Sequence, residues 1–368
     1  MKIRIDQASL ASATAVAARA IGPRAAMPVL SAAHLQVEKA GRVTVTGFDY
    51  DTRFSVTVEC FADEDGVVAL PGRPLAQLVA ALPDGAVTVT VDGGNAVIQG
   101  RGVRYRMPCV DVAQYPALPV PAEASLAVDA EALKNAATAA ARASKTGAEL
   151  AWVECLQLRF TPAGLSLLAS DRYVIGYFTI PWAGALPDES LSTLEVDAAD
   201  FTAVTKAMAG KVQIGVDGNT ISVTDGHVLA TLQRRDVPYP QVYEGFIATR
   251  PTFTTTATLD RADLADAASR AMQVMAGNKQ PRIRLDITGD GVAYSATDGT
   301  YGDVDGDLNA ALDGDPLTVT FNAAFLDNAL KAFDSSQIRV DATKPTRPLY
   351  LTDPSAPDGV FVAVPIRA

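Results

Sequence analysis

The strongest constraint on this chain is that it repeats itself. Three helical patterns recur at about one third of its length: Arg73-Pro-Leu-Ala-Gln-Leu-Val-Ala-Ala-Leu82, Asp200-Phe-Thr-Ala-Val-Thr-Lys-Ala-Met208 and Asn322-Ala-Ala-Phe-Leu-Asp-Asn-Ala-Leu-Lys-Ala-Phe333. Helical spacing links Leu75, Leu78, Val79 and Leu82 in the first, Phe201, Val204 and Met208 in the second, and Leu326, Leu330 and Phe333 in the third. Each runs into an alternating strand: Val87/Val89/Val91, Val212/Ile214/Val216 and Ile338/Val340. The first two strands turn at Asp92-Gly-Gly-Asn95 and Asp217-Gly-Asn219, both hairpin signals. An Ala-rich amphipathic helix opens each unit, over residues 8–20, 129–143 and 261–275. A strand follows, then a small-residue turn around Asp49, Asp171 or Asp298. Linkers rich in Pro or Thr place the boundaries near 122 and 248, giving units 1–121, 122–247 and 248–368. Helix, strands, helix, strands in each unit predicts an α+β fold: three repeated domains, each with two helices packed on antiparallel sheet.

The rest of the composition narrows the class. A chain of 368 residues that is 48% hydrophobic folds into several globular domains. No apolar run approaches the ~20 residues of a membrane helix, and Met1-Lys2-Ile3-Arg4-Ile5-Asp6 alternates like a strand, so a cytoplasmic protein is expected. Cys60, Cys109 and Cys155 are odd in number and lack CxxC spacing, and the histidines are His34 and His227; neither a disulfide framework nor a zinc site is expected. There is no GxxxxGK[ST] loop. Acidic turns at Asp49-Tyr-Asp51 and Asp303-Val-Asp-Gly-Asp307 leave two alternatives open. One is a metal-dependent nuclease or nucleotidyl transferase using Asp49, Asp51 and Asp171; the other is a repeat-built assembly protein. Neither has a complete motif, so no cofactor, metal or catalytic residue is assigned.

Laid on three repeats, several short motifs resemble the bacterial DNA polymerase III beta subunit, the beta sliding clamp family. They are Arg24-Ala-Ala-Met-Pro28-Val-Leu-Ser31, Gly47-Phe-Asp49-Tyr-Asp51, Tyr115-Pro116, Ala169-Ser-Asp171-Arg172, Phe321-Asn322 and Val364-Pro365-Ile-Arg367. The resemblance runs over the whole chain. It implies a non-catalytic processivity factor, a head-to-tail homodimer closing a ring around duplex DNA without reading sequence. It also implies a cleft that docks peptides of the polymerase catalytic subunit, the clamp loader ATPase and other partners. By position, the cleft takes Ala151, Ser170, Arg172, Tyr173, Ile175, Pro240, Phe246, Asn322, Phe325, Val362, Val364, Pro365, Ile366 and Arg367. The dimer interface takes Tyr105 and Met107 on one side and Val274 and Met275 on the other. The chain departs from the family in Arg172-Tyr173-Val174 after the cleft aspartate, in its Val-Pro-Ile-Arg-Ala tail and in Glu244, which mark a divergent member, phage-borne or a second copy.

The net charge of −11 argues against nucleic acid until its distribution is considered. Predicted helices and their ends carry Arg19, Arg24, Arg73, Lys134, Arg142, Lys145, Lys206, Lys211, Arg270, Lys279 and Lys331. Lys134 and Lys145, eleven apart, would share a helical stripe. Taken with the repeat, these cations read as a phosphate-contacting lining; taken alone, they are ordinary solvated helix faces. Val362, Val364 and Ile366 alternate and are expected on one face of the last strand.

Overall fold

In the computed structural model, which describes residues 1–22, 27–185, 192–299 and 301–366, the threefold repeat is explicit. The first repeat runs β1 (Lys2–Asp6), α1 (Gln7–Ala17), β2 (Ala32–Glu38), β3 (Arg42–Phe48), β4 (Thr52–Glu59), β5 (Phe61–Ala62), β6 (Gly66–Pro71), α2 (Gly72–Ala80), β7 (Ala86–Asp92), β8 (Asn95–Gly100) and β9 (Val103–Pro108). The second runs β10 (Ala124–Asp129), α3 (Ala130–Ala141), β11 (Cys155–Thr161), β12 (Gly164–Ser170), β13 (Val174–Ile180), β14 (Ala183–Gly184), β15 (Thr193–Asp197), α4 (Ala198–Thr205), β16 (Lys211–Asp217), β17 (Thr220–Thr224) and β18 (Val228–Gln233). A short helix, α5 (Val242–Ala248), precedes the third. That repeat runs β19 (Thr255–Asp260), α6 (Arg261–Val274), β20 (Arg282–Thr288), β21 (Gly291–Asp298), β22 (Gly302–Leu308), β23 (Ala310–Gly314), β24 (Leu317–Asn322), α7 (Ala323–Leu330), β25 (Gln337–Ala342), β26 (Leu349–Asp353) and β27 (Ala356–Ala363). Among the described residues, strand, helix, five strands, helix, three strands recurs three times.

Each opening helix starts the same way. Asp6, Asp129 and Asp260 accept hydrogen bonds from Ser9, Ala132 and Ala262 backbone N–H groups, capping α1, α3 and α6. Such a cap contributes ~1 kcal/mol and fixes where the chain turns from strand to helix. One stripe of each helix is then buried: Leu10, Ala13, Thr14 and Ala17; Leu133, Ala136, Ala137 and Ala140; Leu264, Ala267, Ala268 and Ala271. The stripes are mostly alanine because the backbone beneath comes very close. A Cβ at Gly47 would overlap the carbonyl of Ala17, and one at Gly176 would lie 2.9 Å from the carbonyl of Ala140. Gly47→Val is therefore expected to destabilise by roughly 3 kcal/mol or more, read as a fall in denaturant midpoint at unchanged m-value.

The chain forms two compact units, one of Met1–Leu133, Trp182–Ser192 and Asp200–Arg234, the other of Lys134–Pro181, Thr193–Ala199 and Arg235–Ala368. Among the described residues all strand pairing is antiparallel. Among the described residues, the first unit holds a sheet of order β5-β1-β7-β8-β9 and a nine-stranded sheet of order β14-β10-β16-β17-β18-β4-β3-β2-β6. The second holds a nine-stranded sheet of order β15-β11-β12-β13-β27-β26-β25-β19-β23 and a sheet of order β22-β21-β20-β24. The nine-stranded sheets are continuous because the third strand of one repeat's first run pairs with the last strand of the next repeat: β4 with β18, and β13 with β27. Two strands of these classes remain, β9 and β22. Each ends its sheet, and among the described residues they are not paired with each other.

Candidate functional site

The second unit gathers most of the expected cleft residues around the β12–β13 turn. Asp171 Oδ1 accepts from the backbone N–H groups of Tyr173 (2.9 Å) and Val174 (3.0 Å). Ser170 Oγ donates to the Val174 carbonyl (2.7 Å) and accepts from the Arg172 N–H (3.1 Å). This double tie holds Arg172 at φ 84°, a left-handed conformation that is unusual for a residue with a side chain. The turn projects Arg172 and Tyr173 outward; the Arg172 guanidinium carbon lies 5.7 Å from the Tyr173 ring centroid. Tyr173 stacks on Phe325, with centroids 5.9 Å apart and planes at 23°. Phe325 sits in the first turn of α7, whose N-cap is Asn322, accepting from Ala324 N–H at 2.9 Å.

The chain terminus crosses the same place. The Val364 N–H donates to the Tyr173 carbonyl (2.9 Å) and the Ile366 N–H to the Thr320 carbonyl (2.8 Å). The strand β27 has already ended at Ala363, so the alternation expected for Val362, Val364 and Ile366 is corrected. Val362 is buried in the core, Val364 is 41% exposed, Pro365 is buried and Ile366 is half-buried. Ser170 and Ile175 are likewise buried, so neither is exposed to line the expected cleft. Ala151 and Phe246 are exposed and Pro240 is half-buried. Arg367 lies outside the described residues.

Behind the turn lies a buried cluster whose aromatic members, Trp152, Tyr243 and Tyr350, the sequence reading missed. Trp152, Val153, Leu168, Ile175, Tyr243, Tyr350, Val360 and Val362 pack together, with Tyr239 and Phe253 against them. Trp152 meets the edge of Tyr239 at 5.5 Å and the ring of Tyr243 at 5.6 Å. Tyr350 donates its hydroxyl to the Phe246 carbonyl (3.2 Å), tying α5 to the cluster. Burial first, then neighbouring Cys155 and Tyr243, raises Tyr239 well above its ordinary pKa, and burial raises Cys155 to about 12. Neither group is a nucleophile at neutral pH.

The first unit carries a counterpart of the turn. Asp49 Oδ1 accepts from Asp51 and Thr52 N–H groups, and Tyr50 has φ 79°. Val29, Leu30 and Phe48 form the core behind it, with Tyr115 alongside. The residue bonded to the turn is Gln233, whose N–H donates to the Asp51 carbonyl and whose Nε2 donates to Tyr50, where the cleft has Val364. A polar amide side chain therefore stands beside this turn where the aliphatic Val364 stands beside the other. His34 packs 5.1 Å from Tyr115, and burial followed by the charge of Arg53 lowers its pKa; its role is structural.

Asp49 and Asp171, two of the three aspartates of the nuclease reading, each direct Oδ1 to backbone N–H groups of their own turn. Among the described residues no cluster of His, Cys, Asp or Glu could hold a metal ion. Asp303, Asp305 and Asp307 lie exposed at alternate positions of β22.

The cations divide. Arg24 lies outside the described residues. Arg142 is half-buried, donates to Asn328 Oδ1 (3.2 Å), and has its pKa lowered by burial. Arg270 lies between Asp266 (3.9 Å) and the Tyr294 hydroxyl (3.0 Å), and Lys331 pairs with Asp327 (2.6 Å). These three are held by the protein itself. The shared stripe of Lys134 and Lys145 is corrected: α3 ends at Ala141, and Lys145 follows it, exposed, while Lys134 is half-buried. Lys211 opens β16 rather than a helix; Lys206, Lys211 and Lys279 are exposed. Arg19 and Arg73 line one hollow of about 400 Å³, Arg73 donating to the Ile21 carbonyl (2.7 Å).

The expected interface residues divide too. Met107 and Met275 are buried within this chain, and the Met275 sulfur accepts from the Arg282 N–H (3.0 Å), so both are corrected to core. Tyr105, on β9, and Val274, at the end of α6, are half-buried.

Family models for the DNA polymerase III beta subunit match this chain at both ends, the N-terminal domain at residues 1–119 and the C-terminal domain at 251–367. The beta sliding clamp of Micrococcus luteus is 30% identical over 288 residues, covering 77% of this chain and 91% of that protein. The chain belongs to the bacterial beta sliding clamp family. The clamp of Streptomyces coelicolor is 28% identical over 386 residues, covering 100% of this chain and 99% of its own length. The fold of the Pseudomonas aeruginosa sliding clamp bound to griselimycin matches with a TM-score of 0.87 at 19% identity, covering 100% of both chains. Membership places this clamp chain among non-catalytic polymerase subunits. No described helix is long and apolar enough to cross a membrane.

Proposed function

We propose that two copies of this chain close head to tail into a ring that slides on duplex DNA in the cytoplasm and tethers the replicative polymerase, the clamp loader ATPase and other partners by their peptides. The carrying observation is the pairing rule between repeats. Third strands pair with the next repeat's last strand, and the rule leaves β22 of one copy for β9 of another. The repeat also supplies a register. Phe48 pairs with Arg53, Ser170 with Ile175 and Thr297 with Asp303, each beginning one residue before the turn aspartate. Arg53 faces Thr231, and Ile175 faces Val362. Asn95–Pro108 and Thr220–Gln233 are matching pairs of the final hairpins, so Arg106 is the counterpart of Thr231. Transferred to a second copy, Asp303 faces Arg106, Val304 faces Tyr105, and Asp305 faces Arg104. Arg104 and Arg106 are exposed, as are Asp303 and Asp305.

Two such chains would bring six repeats into one closed ring. We take the repeats as 1–121, 122–247 and 248–368, a division supported by the two matched family domains. Arg19, Arg73, Lys145, Lys206, Lys211 and Lys279 are exposed cations suited to touch phosphates, Arg73 through its terminal guanidinium nitrogens, since its Nε is bonded to Ile21. Partner peptides dock in the cleft over Trp152 and Tyr243, beside Val364.

Topology gives the test. Clamp loaded by its loader on nicked circular duplex is expected to stay bound through gel filtration at moderate salt and to be lost when the circle is cut. Direct binding to short linear duplex is expected to be weak and to fall steeply with salt. Equal retention on circular and linear DNA would refute the ring.

A further inference from the structure

The stack of Tyr173 on Phe325 is a feature of the cleft that the fold itself does not need. Tyr173 is 49% exposed, an aromatic side chain held at a surface turn. Its backbone is fixed on three sides, by Asp171, by the left-handed Arg172 and by the Val364 N–H on its carbonyl. Phe325 is fixed by the first turn of α7 and its Asn322 cap. The two backbones hold the rings near-parallel and offset, with centroids 5.9 Å apart, and the Arg172 guanidinium lies beside the Tyr173 ring. Part of the Phe325 ring is thereby covered from within the chain.

Resting on the reading of this cleft as a peptide site, we propose that Tyr173 is its specificity-determining residue: by covering Phe325, it makes the cleft favour aliphatic over aromatic peptide anchors. An incoming aromatic ring gains the Phe325 face only by displacing Tyr173, exchanging one ring contact for another. An aliphatic anchor needs no ring face and packs on Val364 and the apolar floor with the stack in place. Aromatic anchors thus bear a displacement cost that aliphatic ones do not.

The test uses the full-length protein and two fluorescein-labelled peptides, Gln-Leu-Asp-Leu-Phe and Gln-Leu-Asp-Leu-Leu, with affinities read by anisotropy. The wild type is expected to bind the Leu-ended peptide at least as tightly as the Phe-ended one. Tyr173→Ala should tighten binding of the Phe-ended peptide about threefold to tenfold and shift the Leu-ended one by less than about twofold. Tyr173→Phe keeps the stack and should keep the wild-type preference. The proposal is overturned if Tyr173→Ala weakens the Phe-ended peptide, which would make Tyr173 itself the anchor platform, or if both peptides shift equally. A wild-type preference for the Phe-ended peptide also overturns it. Those outcomes leave the cleft standing. If the wild type binds neither peptide, the cleft reading falls and this proposal with it. Thermal melts of each variant confirm that the exposed turn tolerates the change.

Discussion

Replacing Arg104 and Arg106 together by glutamate is expected to turn the dimer into monomers at micromolar concentration. The two arginines occupy alternate exposed positions of β9, and the transferred register sets them opposite Asp305 and Asp303 of a second copy. Opposite charges facing each other across an antiparallel pair contribute roughly 0.2–1 kcal/mol each, and like charges directly opposite cost similar amounts. Reversing both pairs therefore weakens each seam by roughly 1–4 kcal/mol, about fivefold to 1000-fold, and a head-to-tail ring carries that loss at both of its seams. Both arginines are exposed, so the variant should fold normally, and the backbone bonds of the added strand remain possible, so it should still dimerise at high concentration. Raising salt should weaken the wild-type dimer in the same direction, because these pairs are solvent-facing. The decisive measurement is a charge swap. Arg104→Glu and Arg106→Glu combined with Asp303→Arg and Asp305→Arg should restore the dimer in sedimentation velocity. A glutamate variant that remains fully dimeric, or a swap that rescues nothing, refutes the register. Charged edge strands also discourage indiscriminate pairing, and rows of opposite sign in matching positions allow one partner while repelling others.

How much of this could be read from the sequence follows from which interactions are local. The repeat was legible because its signals lie within single elements: the apolar spacing of α2, α4 and α7, and the hairpin turns after β7 and β16. The caps Asp6, Asp129 and Asp260 were equally local and went unused, although each aspartate precedes a helical pattern. The cleft was legible only by resemblance, because its parts are distant in sequence. Trp152, Tyr243, Tyr350 and Val362 meet through β13–β27 pairing and through α5, and no spacing announces that contact. Charge was the least legible. Arg142 and Arg270 look like free helix cations in the sequence, yet each is held by a partner contributed from elsewhere in its unit, Asn328 and Tyr294. The tail failed for a physical reason as well. Alternation predicts faces only while a ladder continues, and the ladder of β27 stops at Ala363.

Removing residues 364–368 is expected to abolish peptide docking while leaving the dimer intact. Val364 contributes a 41% exposed aliphatic side chain at the cleft, and its N–H holds the Tyr173 carbonyl. Ile366 pins the tail to β24 through the Thr320 carbonyl. Loss of the segment removes an apolar wall and also one of the ties on the Tyr173 turn, so the anchors of a bound peptide lose both contact area and part of their preorganised surface. Short peptides bind through a few such anchors, and a loss of about a hundredfold or more would take a micromolar complex beyond detection. The core beneath should persist, because Val360, Phe361, Val362 and Ala363 stay in β27, paired with β13 and β26. The proposed dimer edges, β9 and β22, share no residue with the tail. The expected result is a truncated protein with wild-type sedimentation, a melting temperature lowered by only a few degrees, about what ~1 kcal/mol produces in a chain this long, and no anisotropy change with a Gln-Leu-x-Leu-Phe peptide. A truncated dimer that binds the peptide as well as the full chain does would show that the docking site lies elsewhere.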